Sequence, residues 1–141
     1  MARRTAKVPK GYKPSPEEKF MNPRMREYFR MKLIAWRGEV IDETGETLEK
    51  LRSDNPQEAD FADRAAVETE RAVELRTRDR ARKLVSKIDD ALIRIQDGSY
   101  GYCEETDEPI SIKRLEARPV ATLSIEAQEQ HERYEKTHRD D

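Results

Sequence analysis

Two carboxylates and a single cysteine are the side chains of this 141-residue chain whose types and spacing could do chemistry. Asp60 and Asp63 lie three residues apart, close enough to share one face of a helix. Such a pair could hold Mg²⁺ through oxygen ligands or meet a basic surface on a partner. The same pattern is typical of a polar turn in which Asp63 stabilises a helix N-terminus. The spacing alone leaves both interpretations open.

Cys103 is the only cysteine, so no intrachain disulfide can form. Together with His131 it could be drawn as a nucleophile and its base. No glycine-rich loop or oxyanion donor accompanies the pair, and so thin a chain has little room for a pocket. We therefore predict that the protein is not an enzyme.

The first element that must position these side chains is a long helix. Asn22-Pro23 is a strong helix start, because Asn can cap the free backbone N–H groups and Pro suits the first helical position. Apolar residues then recur at spacings of three and four, with an interruption near Thr44 and Gly45. This predicted inner face comprises Met25, Phe29, Leu33, Trp36, Val40, Leu48 and Leu51.

A second helix is predicted from about Ala62 to Gln96. The turn-forming stretch SDNPQEAD separates it from the first helix and is short enough to favour an antiparallel hairpin. The predicted inner side of the second helix comprises Ala66, Val73, Leu84, Ile88, Ala91 or Leu92, and Ile95.

The chain divides into four segments. We expect residues 1–21 to form a basic, flexible arm whose end packs on the globular domain. Residues 22–97 would form the coiled coil, with an acidic tip at 53–65. Residues 98–123 would form a small globular domain, and residues 124–141 a C-terminal helix. The predicted fold class is mainly α.

Local signals define the smaller elements. Gly98 can adopt the left-handed conformation that ends a helix, and Ser124 can cap the final helix. Tyr100–Cys103 could pair with 110–112 as a short hairpin. The predicted small core comprises Tyr100, Tyr102, Ile110, Ile112, Leu115, Val120, Leu123 and Ile125. A packing face of the final helix would comprise Ala127, His131, Tyr134 and His138.

Charge is abundant but balanced. The chain has 28 basic and 30 acidic residues, and 41% of all residues are charged. This near-cancellation favours a solvated helical pair with many ion pairs over an acidic disordered chain. No apolar run approaches the length of a membrane span, and we expect a cytoplasmic protein.

Two stretches, DRAAVETERAVELRTRDRARKLVSKI and GYCEETDEPISIKRLEARPVATLSIEAQ, resemble the DksA family of regulators that enter the secondary channel of bacterial RNA polymerase. The similarity covers residues 20–128 and includes the D-x-x-D-x-A, GYC and KRLEARP elements in the family's order. It implies a long antiparallel coiled coil joined to a small globular zinc-finger domain and a C-terminal helix. It also implies a monomer that modulates initiation, for example at ribosomal RNA promoters, without sequence-specific binding to DNA.

The resemblance assigns roles to individual residues. Asp60, Asp63 and Ala65 match the tip motif, with Asp63 as the main effector and contact with Mg²⁺ expected only inside the polymerase complex. Arg80 matches a contact to the polymerase rim.

Three further residues match positions that the family uses, together with polymerase, to bind guanosine tetraphosphate (ppGpp), the effector of the stringent response: Leu84, Lys87 and Arg118. Cations converging from separate elements suit a ligand rich in phosphate. Gln128 stands where the family commonly has Lys, which puts a full response to the alarmone in doubt.

The family's four zinc positions, in the spacing C-x₂-C-x₁₇-C-x₂-C, are here Cys103, Thr106, Ser124 and Ala127. One thiolate cannot hold a structural zinc, and Thr, Ser and Ala offer no comparable ligand. We predict a degenerate, zinc-free finger with no bound cofactor, held together by apolar packing. Two other functions stay open: a Gre-like factor whose tip acids stimulate transcript cleavage, and a coiled-coil scaffold unrelated to polymerase.

Overall fold

A computed structural model describes residues 6–53 and 64–138. Four helices follow in order: α1 (Pro23–Ser53), α2 (Arg64–Asp97), α3 (Ile112–Ala117) and α4 (Ile125–Thr137). The chain is mainly helical, as predicted, and the described ranges contain an isolated β-bridge between Tyr102 and Pro109 in place of the expected hairpin of two strands. Within the described ranges, no helix is long and apolar enough to cross a membrane.

The predicted helix boundaries are confirmed where local chemistry sets them. The side-chain oxygen of Asn22 accepts a hydrogen bond from the backbone N–H of Met25 at 3.0 Å, which caps α1. Gly98 follows α2 with φ at 90°, in the left-handed region. Ser124 caps α4 by accepting a hydrogen bond from the N–H of Ala127 at 3.2 Å.

The molecule divides into two compact units. Unit 1 comprises the chain up to Leu33 and from Asp90 onwards, and unit 2 comprises Ile34–Asp89. Unit 1 contains most of the buried apolar side chains. Its largest fully buried side chains are Tyr100, Phe29, Met25, Leu33, Ile110, Leu115 and Cys103.

The N-terminal residues 6–22 contact the rest of unit 1. The hydroxyl of Tyr12 donates to the carboxylate of Glu18 at 3.0 Å, and the ring of Tyr12 meets that of Tyr28 edge-on at a centroid distance of 5.8 Å. Gly101 has a φ of 89°, and a Cβ there would lie 3.0 Å from the side chains of Phe20 and Met21. Glycine therefore permits this close approach.

Unit 2 is a pair of antiparallel helices. Arg37 pairs with Asp89 at 2.8 Å, and Arg52 pairs with Glu74 at 3.1 Å. As the residue number rises along α1, the number of its partner falls along α2, so the two helices run in opposite directions. In this unit Val40 on α1 and Ile88 on α2 are buried, as the inner-face pattern predicts.

Several packing predictions are wrong. Ala66 is exposed, and its neighbour Val67 is half-buried instead. Tyr102 and Ile125, expected in the small core, are 37% and 49% exposed. Cys103, Ala121 and Ala127 are buried there instead, because small side chains fit where α4 approaches the turn after Tyr102.

The predicted packing face of α4 is also largely wrong. Of its four residues only Ala127 is buried. The rings of Tyr134 and His138 stack at 3.9 Å but stay exposed, and His131 is an exposed residue paired with Glu105.

Candidate functional site

The acidic tip motif is described only in part. Asp60 and Asp63 lie outside the described residues. Ala65 lies in the first turn of α2 and is exposed.

The middle of α2 is a basic surface in which most cations are paired. Glu74 accepts hydrogen bonds from Arg52 and Arg78 at 3.1 and 2.9 Å, and these bonds lower the pKa of its carboxyl. Lys83 and Arg82 likewise contact Asp79 at 3.1 and 2.5 Å and lower the pKa of that carboxyl. These carboxylates stay ionised and hold the neighbouring cations in place.

Arg80 differs from these neighbours. Like Arg76, it is exposed and forms no ion pair within the part of the chain that the structure describes. Its guanidinium is therefore available to an external carboxylate, with which it could form two parallel hydrogen bonds.

The three residues assigned to the alarmone lie in different units. Leu84 is half-buried and Lys87 is exposed, one turn apart on α2 in unit 2. Arg118 is exposed directly after α3, in unit 1.

The loop that presents Arg118 is tightly held within unit 1. The guanidinium of Arg114 donates to the carbonyl of Leu123 at 2.8 Å. On the other side of the loop, the hydroxyl of Tyr100 donates to the carbonyl of Pro119, the residue after Arg118, at 2.7 Å. Tyr100 is 1% exposed, and burial raises the pKa of its hydroxyl. The hydroxyl thus stays protonated and remains a donor.

A cation from α1 holds the C-terminal end of α3. The ammonium of Lys32 donates to the backbone carbonyl of Glu116 at 3.0 Å and to its carboxylate at 2.7 Å. Burial opposes ionisation of this carboxyl, but Lys32 and the nearby hydroxyl of Tyr28 outweigh it and lower the pKa. Burial and the same carboxylate raise the pKa of Tyr28 to about 12. No pattern in the sequence indicates the contact between Lys32 and Glu116, because 84 positions separate them.

The four zinc positions of the family do not fit a zinc ion. Ser124 uses its hydroxyl oxygen to cap α4, and the hydroxyl of Thr106 accepts the backbone N–H of Glu108 at 3.3 Å. Ala127 has no side-chain donor atom. Among the described residues no group of three or more His, Cys, Asp or Glu side chains could hold a metal.

The thiol of Cys103 has its own set of hydrogen-bond donors. Burial disfavours the thiolate, but the hydroxyl of Thr106 and the backbone N–H groups of Ser124, Thr106 and Glu105 donate to the sulfur. Together they lower the pKa of Cys103 to about 6. His131 of α4 pairs with Glu105 in the same turn. Polar contacts therefore connect the turn at residues 103–106 with α4 and the residue that caps it.

Two protein-family models match the chain. The N-terminal domain of DnaK suppressor protein DksA matches residues 25–95, and the prokaryotic dksA/traR C4-type zinc finger matches residues 98–133.

Curated relatives agree with these matches. The RNA polymerase-binding transcription factor DksA of Caulobacter vibrioides is 62% identical over 130 residues, covering 92% of each chain. The protein of the same name from Escherichia coli K12 is 43% identical over 115 residues, covering 82% of this chain and 76% of the relative. The solved structure of transcription factor DksA2 from Pseudomonas aeruginosa is similar, with a TM-score of 0.74 and 41% identity, covering 83% of this chain and 90% of that one.

Proposed function

The chain belongs to the DksA family, and on that premise we propose that it is a regulator that binds bacterial RNA polymerase and modulates the initiation of transcription. It acts on polymerase in the cytoplasm as a monomer, without catalysing a reaction itself and without reading a DNA sequence. The observation that carries the proposal is the exposed Arg80, which has no ion pair among the described residues and lies beside cations that the chain's own carboxylates hold in ion pairs.

Arg80 is the proposed docking residue. A guanidinium that already forms an ion pair within its own chain would have to break that pair before it could bind a partner protein. A guanidinium without such a pair can bind an acidic group on the polymerase rim directly. Docking there directs the segment between α1 and α2, which includes Asp60 and Asp63, and the first turn of α2, which includes Ala65, into the secondary channel. The two carboxylates act near the catalytic centre, where they reach Mg²⁺ only as part of the complex.

Leu84, Lys87 and Arg118 are the proposed contacts to guanosine tetraphosphate, which binds jointly to this protein and polymerase. The contacts of Tyr100, Lys32 and Arg114 support this role for Arg118, because a fixed loop loses less entropy when its cation meets a phosphate.

Gln128 limits the expected response. Its side-chain amide donates to Glu132 on α4 at 3.2 Å. Because an amide is neutral, Gln128 brings no positive charge to the phosphates. We expect a weaker alarmone response than in relatives that have Lys at this position.

The finger is proposed to be zinc-independent. The hydrogen bonds to the sulfur of Cys103, the cap at Ser124 and the pair between Glu105 and His131 join the segments that a metal would otherwise join. Metal analysis of protein purified without added zinc should find far less than one zinc per chain, and a stoichiometric content would contradict this.

Direct binding and promoter assays test the main proposal. In the presence of a chelator, the protein should bind RNA polymerase holoenzyme and change initiation at a ribosomal RNA promoter, with and without guanosine tetraphosphate. The Arg80→Ala variant should bind ~10-fold more weakly. Arg71→Ala is the matched control, because Arg71 is an exposed arginine nine residues earlier on the opposite side of α2.

The tip has a separate test. Asp63→Asn should bind polymerase like the parent and lose the effect on the ribosomal promoter, because only the charge that reaches the catalytic centre is removed. Regulation equal to that of the parent would refute the role of the tip. Stimulated cleavage of a backtracked transcript would instead favour the Gre-like function, and absence of polymerase binding would favour the scaffold.

A further inference from the structure

The first helix has a second apolar row, which is exposed and lies next to its buried row. Ile34 and Ile41 are 46% and 47% exposed, although the neighbouring Val40 is buried. Gly38 and Gly45 continue the row at helical spacing, and a Cβ at either position would meet nothing within 4 Å. We call these four residues the outer face of α1. A helix that is apolar on more than one side is normally covered on each of them.

Carboxylates line one side of this row. Five acidic residues and no basic residue occur between positions 39 and 49, and all five are exposed: Glu39, Asp42, Glu43, Glu46 and Glu49. They form no ion pair within residues 6–53 and 64–138. Several are three or four positions apart, where like charges repel each other along a helix. The outer face is therefore an apolar strip with a negative surface along one side, while Arg37 on its other side is paired with Asp89.

None of these features stabilises the part of the chain that the structure describes. Glycine is among the poorest residues in a helix interior, and here no neighbouring atom requires the absence of a side chain. Exposed isoleucines gain nothing from burial, and the clustered carboxylates repel one another. Local features that disfavour the fold on one face, with no compensating contact in the chain, are typical of a surface that binds a partner.

We infer that the outer face of α1 is a second docking surface, occupied by a protein segment that carries basic side chains beside an apolar centre. The carboxylates attract the basic side chains, the isoleucines contact the apolar centre, and the two glycines allow the segment to approach the helix backbone closely. The inference rests on the proposed function, under which this segment belongs to RNA polymerase and differs from the acidic site that binds Arg80.

The glycines give the sharpest test, because a structural role and a docking role predict different outcomes. The double variant Gly38→Ala plus Gly45→Ala should raise the melting temperature by a few degrees, since alanine favours the helix and fits the open space. It should also weaken binding to RNA polymerase holoenzyme by ~10-fold, since two methyl groups would block the close approach. A more stable variant that binds polymerase like the parent would overturn the inference.

The isoleucines give an independent test with a matched control. Ile41→Asp should weaken polymerase binding by ~10-fold or more, whereas Ile93→Asp should leave it unchanged. Ile93 is an equally suitable exposed position, being 58% exposed on α2 in unit 1. Equal effects of the two variants would indicate a general loss of solubility or stability and would refute a specific surface.

Two further measurements separate this inference from its alternatives. If the parent binds polymerase and Arg80→Ala weakens binding while the glycine and Ile41 variants do not, the outer face is not a docking surface and the proposed function stands. If the parent does not bind polymerase, both fail. Sedimentation tests the other occupant: a dimer of the parent that Ile41→Asp dissociates would show that the face binds a second copy of the chain.

Discussion

The two units of the molecule are stabilised in different ways. Unit 1 contains twelve of the fourteen buried hydrophobic residues in the described ranges, and unit 2 contains only Val40 and Ile88. Unit 2 instead has half-buried contacts along two helices and ion pairs whose side chains remain accessible to water. Burial of apolar area contributes far more than accessible ion pairs. We infer from this difference that unit 1 provides most of the folding stability and that unit 2 provides exposed surface for binding a partner.

The largest expected effect is a core deletion in unit 1. Phe29 is fully buried and lies beside Tyr28 and Tyr100, with ring centroids 5.2 and 5.6 Å away. Phe29→Ala should lower the free energy of unfolding by about 3–5 kcal/mol, because it leaves a cavity. In unit 2, Leu48→Ala removes a half-buried side chain and should cost less than about 2 kcal/mol. Equal losses in urea unfolding would remove the contrast between the units.

The second effect concerns the thiol of Cys103, which has no counterpart in the described part of unit 2. The pKa of this thiol is about 6 in the folded chain, compared with 9.0 for an ordinary cysteine such as that of the unfolded chain. Between pH 6 and 9 the unfolded chain therefore binds more protons than the folded chain. Stability should therefore rise with pH from 6 to 9, by up to ~4 kcal/mol, and this contribution should be lost as the pH falls through 6.

Urea unfolding at several pH values, together with the absorbance of the thiolate, measures this dependence. Cys103→Ser keeps the size of the side chain and removes its titration, so its curve should be nearly flat over the same range. An equal slope in the variant would assign the pH dependence to another group.

The smallest expected effect is the loss of an ion pair in unit 2. The side chains of Arg37 and Asp89 are 41% and 45% exposed, and Arg37→Ala should cost only about 0.2–1 kcal/mol, less at high salt. Lys32→Ala in unit 1 should cost more, because Lys32 also satisfies the carbonyl of Glu116 at the end of α3. A larger loss for Arg37 than for Lys32, measured by urea unfolding, would reverse the proposed division between the units.

Much of the fold could be predicted from local signals. Asn22, Gly98 and Ser124 set helix ends through capping and backbone conformation, which depend on a few neighbouring residues. The spacing of Met25 and Phe29 likewise predicts a buried face, because a helix repeats every 3.6 residues.

For the candidate sites, the sequence could predict only which residues match the positions that the family uses. It could not predict the surroundings of those residues. The resemblance identified Arg80 and Arg118. It did not show that Arg80 has no ion pair within residues 6–53 and 64–138, or that Tyr100 and Lys32 hold the loop beside Arg118. These properties depend on partners that a motif does not include.

The sequence by itself determined α1, α2 and α4 with the ends set by Asn22, Gly98 and Ser124, the inner face of α1, and the loss of three of the four zinc ligands. The tertiary structure decided which apolar residues stay exposed, and so distinguished Ile34 and Ile41 from the buried Val40. It also gave Cys103 the donors that lower its pKa and brought Lys32 to Glu116. The physical reason is range: a cap or a helical repeat acts over a few residues, whereas burial and ion pairing depend on groups that only folding brings together.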